Sequence, residues 1–135
     1  MHNPPVFLYV EDDLASIAIM KMVVEKVMKI QPLTIFHGSE NFMEKLDAMG
    51  AIPDIFLLDI HMQPYDGYEL LSMLRADRRF RRSKIIAVTA SVMGEEVDRL
   101  KVSGFDGAIS KPLNITHFPA LIKRILKGEQ VWFVS

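Results

Sequence analysis

The chain contains no cysteine, which excludes disulfides and thiolate metal sites and fits a reducing compartment. It has almost no charge imbalance: 16 Lys and Arg stand against 17 Asp and Glu, a formal net charge of -1. Such a balance gives no global pull toward nucleic acid or an acidic membrane surface. No apolar run approaches the ~20 residues of a membrane span. Met1-His2-Asn3-Pro4-Pro5 lacks the basic and apolar blocks of a signal peptide. Internal repeats and low-complexity stretches are missing too. The expectation is a soluble, cytoplasmic protein with no nucleic-acid and no membrane partner.

Half of the 135 residues are apolar and 24% are charged, which are values of a globular domain. A single domain of this size buries roughly two-thirds of its unfolded surface, so structural metals are not needed for stability. Apolar and amphipathic segments alternate from end to end. Val6–Val10 is a continuous apolar run, as a central strand covered on both faces requires. A long helix from Asp12 or Asp13 to Ile30 follows, its wide apolar face built from Leu14, Ile17, Val24 and Met28 beside Met20, Val23, Val27 and Ile30. Further strands are expected at Leu33–Phe36, Ile55–Leu58, Ile85–Val88 and Gly107–Ser110. Helices are expected from Gly38-Ser39 to Gly50, Gly67 to Ala76, Val92 to Ser103, and Asn114 or Thr116 to Gly128. The fold class is α/β: a (βα)5 doubly wound sheet of five parallel strands in the order 2-1-3-4-5.

In a parallel sheet the C-terminal strand ends converge on one edge, where such folds bind ligands. Five polar residues fall there: Glu11 and Asp12 after the first run, Asp59 after the third, Thr89 after the fourth and Lys111 after the fifth. Three carboxylates form an oxygen-only set suited to Mg²⁺, an ion usually held by one or two carboxylates with waters and phosphate oxygens. An acid trio repels itself without a cation, so Glu11 and Asp12 are poor choices for helix capping alone. Asp13, by contrast, reads as an ordinary N-cap. Asp59, at the rim of an apolar run, has the chemistry of an acyl-phosphate-forming nucleophile. Lys111 can pair with Asp59 and then with phosphate oxygens as a point charge, and Thr89 supplies a small hydroxyl donor.

These segments, Tyr9-Val10-Glu11-Asp12-Asp13, Leu57-Leu58-Asp59-Ile60-His61-Met62, Asp66-Gly67, Thr89-Ala90 and Lys111-Pro112, resemble the receiver domain of two-component response regulators. The spacings from Asp59 to Thr89 (89 − 59 = 30) and to Lys111 (111 − 59 = 52) match that family. The resemblance covers about residues 5–128 and implies a flavodoxin-like fold in one receiver domain spanning 1–135. With an apolar tail at 129–135 and only seven residues after Gly128 (135 − 128), no output domain is expected.

The resemblance implies that Asp59 accepts a phosphoryl group from a sensor histidine kinase or histidine phosphotransfer protein. Asp12 would then be a direct Mg²⁺ ligand, Glu11 would act through water, and His61 would offer its backbone carbonyl. Thr89 and Lys111 would bond phosphate oxygens, and the Lys111-Pro112 bond is expected to be cis. Such a protein is a phosphoacceptor with self-catalysed transfer rather than an enzyme acting on separate substrates. It signals to a downstream protein target, with room for a homodimer.

Three departures stand out. The position three before Lys111, usually aromatic in the family, is Ala108, which puts the usual aromatic switch in question. Gln63 stands where a proline is frequent, and Pro64 follows it. His61 and Ser91 occupy the variable positions flanking the phosphoryl group and are expected to tune its lifetime. Ala108 therefore keeps a binding-only, receiver-like module in view. An aspartate-nucleophile phosphohydrolase fits less well, because its second Asp is here His61. A flavodoxin-type cofactor binder lacks the phosphate loop after strand one. The basic run Arg75, Arg78, Arg79, Arg81, Arg82 and Lys84 reads as a solvated loop, the four histidines as non-ligands and the nine methionines as core filler. The tail Val131-Trp132-Phe133-Val134 is expected to pack back on the domain, with docking to a partner as the alternative.

Overall fold

The computed structural model describes residues 4–90 and 94–133. Six strands, β1 (Phe7–Val10), β2 (Thr34–Phe36), β3 (Ile55–Asp59), β4 (Lys84–Thr89), β5 (Gly107–Ser110) and β6 (Val131–Phe133), form one sheet in the order β2-β1-β3-β4-β5-β6. All five pairings are parallel. Helices α1 (Leu14–Lys21), α2 (Phe42–Ala48), α3 (Gly67–Arg75), α4 (Gly94–Ser103) and α5 (Phe118–Leu126) cover both faces. The expected α/β sheet and the 2-1-3-4-5 order of its first five strands are present. The count of five strands is corrected to six, because the tail adds a strand to the outer edge of β5. Among the described residues, no helix is long and apolar enough to cross a membrane.

Side-chain alternation along the strands divides the core in two. Phe7, Tyr9, Ile55 and Leu57 enter the layer with Ile17, Met20, Ile122 and Ile125 of α1 and α5. Leu8, Val10, Phe56 and Leu58 enter the opposite layer with Leu46, Leu70, Leu74 and Leu100 of α2, α3 and α4. Burial on both faces is why the strand sequences are unbroken apolar runs rather than alternating ones.

Several boundaries differ from expectation for identifiable reasons. The first helix does not run regularly to Ile30. Beyond Lys21 it widens into a π-helical stretch, Met22–Val27, and the Met28 N–H reaches back to the Val23 carbonyl at 2.9 Å. The wider turn leaves the adjacent Val23 and Val24 both fully buried, and the chain then leaves the helix through Lys29 at φ 57°. Asp13 is the N-cap of α1, its carboxylate accepting from Ser16 N at 2.9 Å, as read from sequence.

Ser39 does not open α2, which begins at Phe42. Its buried hydroxyl instead donates to the Tyr65 carbonyl at 2.6 Å and accepts from Tyr65 N at 2.9 Å. It thereby ties down the loop that leaves β3. Likewise, Asn114 accepts from His117 N at 3.0 Å, capping a turn that precedes α5. The expected start of the fourth helix at Val92, and Ser91 before it, lie outside the described residues.

Candidate functional site

Strand register assembles the site. Val10 pairs with Leu58, Asp59 with Val88, and Thr89 with Ser110. The residues just past these pairs, Glu11, Asp12 and Lys111, therefore emerge beside Asp59 on one edge. Side-chain oxygens of Glu11, Asp12 and Asp59 lie within 4.8 Å of one another, a group that could hold a metal ion. Asp12 is exposed, while Glu11 (0%) and Asp59 (4%) are buried. Lys111 Nζ donates to Glu11 Oε1 at 2.9 Å and to Asp59 Oδ1 at 3.2 Å. One ammonium thus faces two buried carboxylates, leaving the cluster short of positive charge. Its backbone N–H donates to the Thr89 carbonyl at 2.9 Å, locking the Lys111 position to the buried Thr89. The Lys111–Pro112 bond is cis.

Glu11 is held on every side. Tyr9 Oη donates to its Oε1 at 2.8 Å, and the backbone N–H groups of Asp12 and Asp13 point at Oε2 at 3.2 and 3.3 Å. Its own N–H donates to the Phe36 carbonyl at 3.0 Å. In the sequence Tyr9 belongs to an apolar strand and opens the motif Tyr9-Val10-Glu11-Asp12-Asp13, with no sign of where its hydroxyl goes. The available signal was a hydroxyl inside a fully buried run, which must find a partner.

The electrostatics follow from this geometry. Burial first, and the neighbouring Glu11 charge second, push the Asp59 carboxyl up from 3.8 to about 6, with Lys111 opposing. Burial works against the Lys111 ammonium, but its bond to Glu11 and the charges of Asp59 and Glu11 outweigh that and raise its pKa. Burial and Glu11 also hold the Tyr9 hydroxyl in its neutral, donating form. Asp59 is therefore a carboxylate above about pH 6, and a more basic one than an exposed aspartate.

Two openings reach the cluster. A hollow of about 380 Å³ between α1 and the loop after β5 is lined by Tyr9, Ser16, Ile19, Ala90, Lys111 and Pro112 among others. A shallower cleft of about 350 Å³ is lined by Asp12, His61, Met62, Gln63 and Asp66. The exposed His61 lies in the second, two residues past Asp59.

The loop between β3 and α3 is fixed at both ends. Besides the Ser39 tie, Asp66 and Glu69 form a reciprocal capping box. Gly67 begins α3, where a Cβ would lie 2.7 Å from the Asp59 carbonyl oxygen and 2.9 Å from Ile60 Cα. Only glycine lets α3 start this close to Asp59. We expect Gly67→Ala to lower stability by about 1–3 kcal/mol, the usual cost of overpacking, in urea unfolding. A cost under about 0.5 kcal/mol would contradict this close packing.

The comparisons agree with this geometry. The model of the response regulator receiver domain family matches residues 7–123. The polar-differentiation response regulator DivK of Brucella anthropi is 35% identical over 89 residues, 65% of this chain and 72% of that protein. Among solved structures, the signal receiver domain of a DNA-binding response regulator from Colwellia psychrerythraea superposes with a TM-score of 0.78. It is 22% identical, over 90% of this chain and 98% of that one. A two-component response regulator from Legionella pneumophila superposes with a TM-score of 0.76 and is 24% identical, over 91% and 98% of the two chains. The structural likenesses establish the flavodoxin-like fold. The family match across nearly the whole sheet, around an acid cluster at its strand ends, shows that this chain belongs to the response regulator receiver domains.

Proposed function

We propose that Asp59 accepts a phosphoryl group from a phosphohistidine, in a reaction assisted by a divalent cation held at Glu11, Asp12 and Asp59. The observation that carries this is the uncompensated charge of the cluster: the two buried carboxylates, Glu11 and Asp59, share the Lys111 ammonium, and the exposed carboxylate of Asp12 lies in the same group. An oxygen-only set with one open side fits Mg²⁺. His61 would add its backbone carbonyl. When bound, Mg²⁺ would supply positive charge against the phosphoryl oxygens.

The residues of the chain do the rest. An Asp59 carboxylate oxygen donates its electron pair to phosphorus while the P–N bond breaks toward the departing imidazole, which takes a proton from solvent. Transfer through a metaphosphate-like state is governed by positioning and charge neutralisation. Lys111 Nζ, already between Glu11 and Asp59, can follow an incoming phosphoryl oxygen without leaving Glu11. The Thr89 hydroxyl, at the end of the neighbouring strand, serves a second oxygen. Donors reaching the pocket would be a sensor histidine kinase or a histidine phosphotransfer protein, and the phosphorylated domain would act on a downstream protein, with His61 and Ser91 setting the lifetime of the acyl phosphate.

The test uses acetyl phosphate, a small donor that needs no partner. With Mg²⁺, intact mass should rise by one phosphoryl group, and the rise should vanish in Asp59→Asn and in chelator. A rise that survives Asp59→Asn would overturn the assignment. No rise at all in the presence of Mg²⁺ would favour the binding-only reading that Ala108 suggests.

A further inference from the structure

The seat that β5 offers to β6 is built for it. A Cβ on Gly107 would lie 2.5 Å from the Val131 carbonyl oxygen, so only glycine lets the sixth strand approach. The next residue, Ala108, is fully buried and is the register partner of Trp132. Consecutive strand residues point to opposite faces. Val131 enters the layer of α1 and α5 at 4% exposure, and Trp132 packs on the layer of α3 and α4.

Trp132 is also one of two aromatic rests for α4. That helix buries a single residue, Leu100. On one flank the Arg99 guanidinium lies 3.9 Å from the ring centroid of Tyr68, whose hydroxyl donates to Glu96 at 3.0 Å. On the other, Lys101 Nζ lies 5.5 Å from the Trp132 ring. Cation–ring contacts at such partly exposed places are individually weak. A helix with one fully buried residue, tied down otherwise by the Tyr68–Glu96 hydrogen bond and contacts of this kind, belongs to the low-stability part of a fold, from which moving elements are drawn.

The register of β6 leads across the sheet toward the strand ends that carry the Asp59 pocket. The register row Leu58, Ala87, Ala108, Trp132 crosses four strands. It runs one residue before Asp59, two before Thr89 and three before Lys111. Ala87 and Ala108 offer only a methyl group, so the next large side chain along that row after Leu58 is Trp132.

Resting on the reading of Asp59 as phosphoacceptor, we propose that Trp132 is a positioning residue for that site. Through Lys101 it fixes α4, and through β5 it fixes the strand end carrying Lys111, in the arrangement where Lys111 bonds Glu11 and Asp59. A phosphoryl-like anion on Asp59 draws on Lys111 and thereby alters the packing of Trp132. Coupling of this kind is reciprocal: loss of the indole releases the anion-free arrangement and favours the anion-bound one.

The chain has one tryptophan, so its fluorescence reports Trp132 alone. Full-length protein is titrated with beryllofluoride and Mg²⁺, with bound ligand counted by ¹⁹F NMR in the same sample. Trp132 emission should change in step with occupancy. Trp132→Ala should tighten beryllofluoride binding by about fivefold or more, the lower range of typical coupling, while Trp132→Phe stays near the parent. Lys101→Met, an exposed change that keeps the indole, should tighten it in the same direction and carries the test if Trp132→Ala does not fold. Emission that stays constant at full occupancy, or unchanged or weaker binding in these variants, overturns the proposal while leaving the Asp59 reading intact. No bound ¹⁹F signal in the parent protein overturns both.

Discussion

Replacing Lys111 with methionine should cost about 3 kcal/mol of stability at pH 8 without metal, and far less at pH 5. Removing one partner of a buried charge pair typically costs ~3–5 kcal/mol, because the other is left uncompensated. Here the ammonium serves two buried carboxylates at once, Glu11 at 2.9 Å and Asp59 at 3.2 Å. Methionine keeps most of the stem's packing and removes only the charge. The pH dependence follows from which group can relieve the strain. Asp59 already titrates near pH 6, held up by burial and by Glu11. Without Lys111, which opposes that shift, its folded-state pKa climbs further above its unfolded value. A carboxyl raised on folding binds a proton more readily in the native state, so stability rises as pH falls through its folded pKa. If the cluster holds Mg²⁺ as proposed, added Mg²⁺ should recover part of the loss at pH 8, because a ligand of the native state alone stabilises it. Urea unfolding at the two pH values decides the matter. Equal costs at pH 5 and pH 8 would contradict the charge account and leave only packing.

The opposite sign is expected for Asp59→Asn. In the metal-free protein at pH 8 this substitution should stabilise the fold by up to about 3 kcal/mol. The native pKa of Asp59 is about 6 against 3.8 for the ordinary group, roughly two units, and one unit corresponds to about 1.4 kcal/mol. Below pH 3.8 the carboxyl is protonated in both states and costs nothing. Between 3.8 and 6 the native state holds the proton more tightly, so stability falls as pH rises. Above 6 the full penalty of a buried carboxylate is present, and asparagine escapes it. The advantage of the variant should therefore be absent at pH 3.5, grow across that window and level off above it. On the proposed cation site it should shrink in excess Mg²⁺, which would then stabilise the parent more than the variant. A variant less stable than the parent at pH 8 would show that the Lys111–Asp59 pair outweighs the burial of the acid. Such a site trades stability for a basic, poised carboxylate.

Much of the site was legible because an apolar run marks each strand, and the polar residue that ends it marks the ligand-binding edge. Glu11, Asp59, Thr89 and Lys111 could be placed by that rule alone. What the rule does not reach is contact made across the sequence. Tyr9 looked like core, since only the folded chain shows its hydroxyl against Glu11. Ser39 looked like a helix start, but it spends its hydroxyl on Tyr65, 26 residues away. Gly67 was visible within a motif, while the 2.7 Å approach that demands it was not.

The sixth strand was hidden for a different reason. Three residues, Val131–Phe133, are too few for a periodicity to declare itself, and the matching signals lie on β5. Gly107 has no side chain because β6 lies against it, and Ala108 is the register partner of Trp132. In the sequence Ala108 stands where an aromatic is usual in the family. The structure shows an aromatic beside it all the same, brought from the next strand. The early end of the regular part of the first helix has a similar origin, since the π-helical turn serves the burial of two adjacent valines rather than any local propensity.

The proposed function rests on one covalent bond, between an Asp59 carboxylate oxygen and phosphorus. Protein treated with acetyl phosphate and Mg²⁺, reduced with borohydride and digested, should carry the product of acyl-phosphate reduction, homoserine, at position 59 and at no other acid, and none should form when Mg²⁺ is chelated. Reduction product at Glu11 or Asp12, or a position 59 that remains aspartate after donor, metal and reductant, would contradict it.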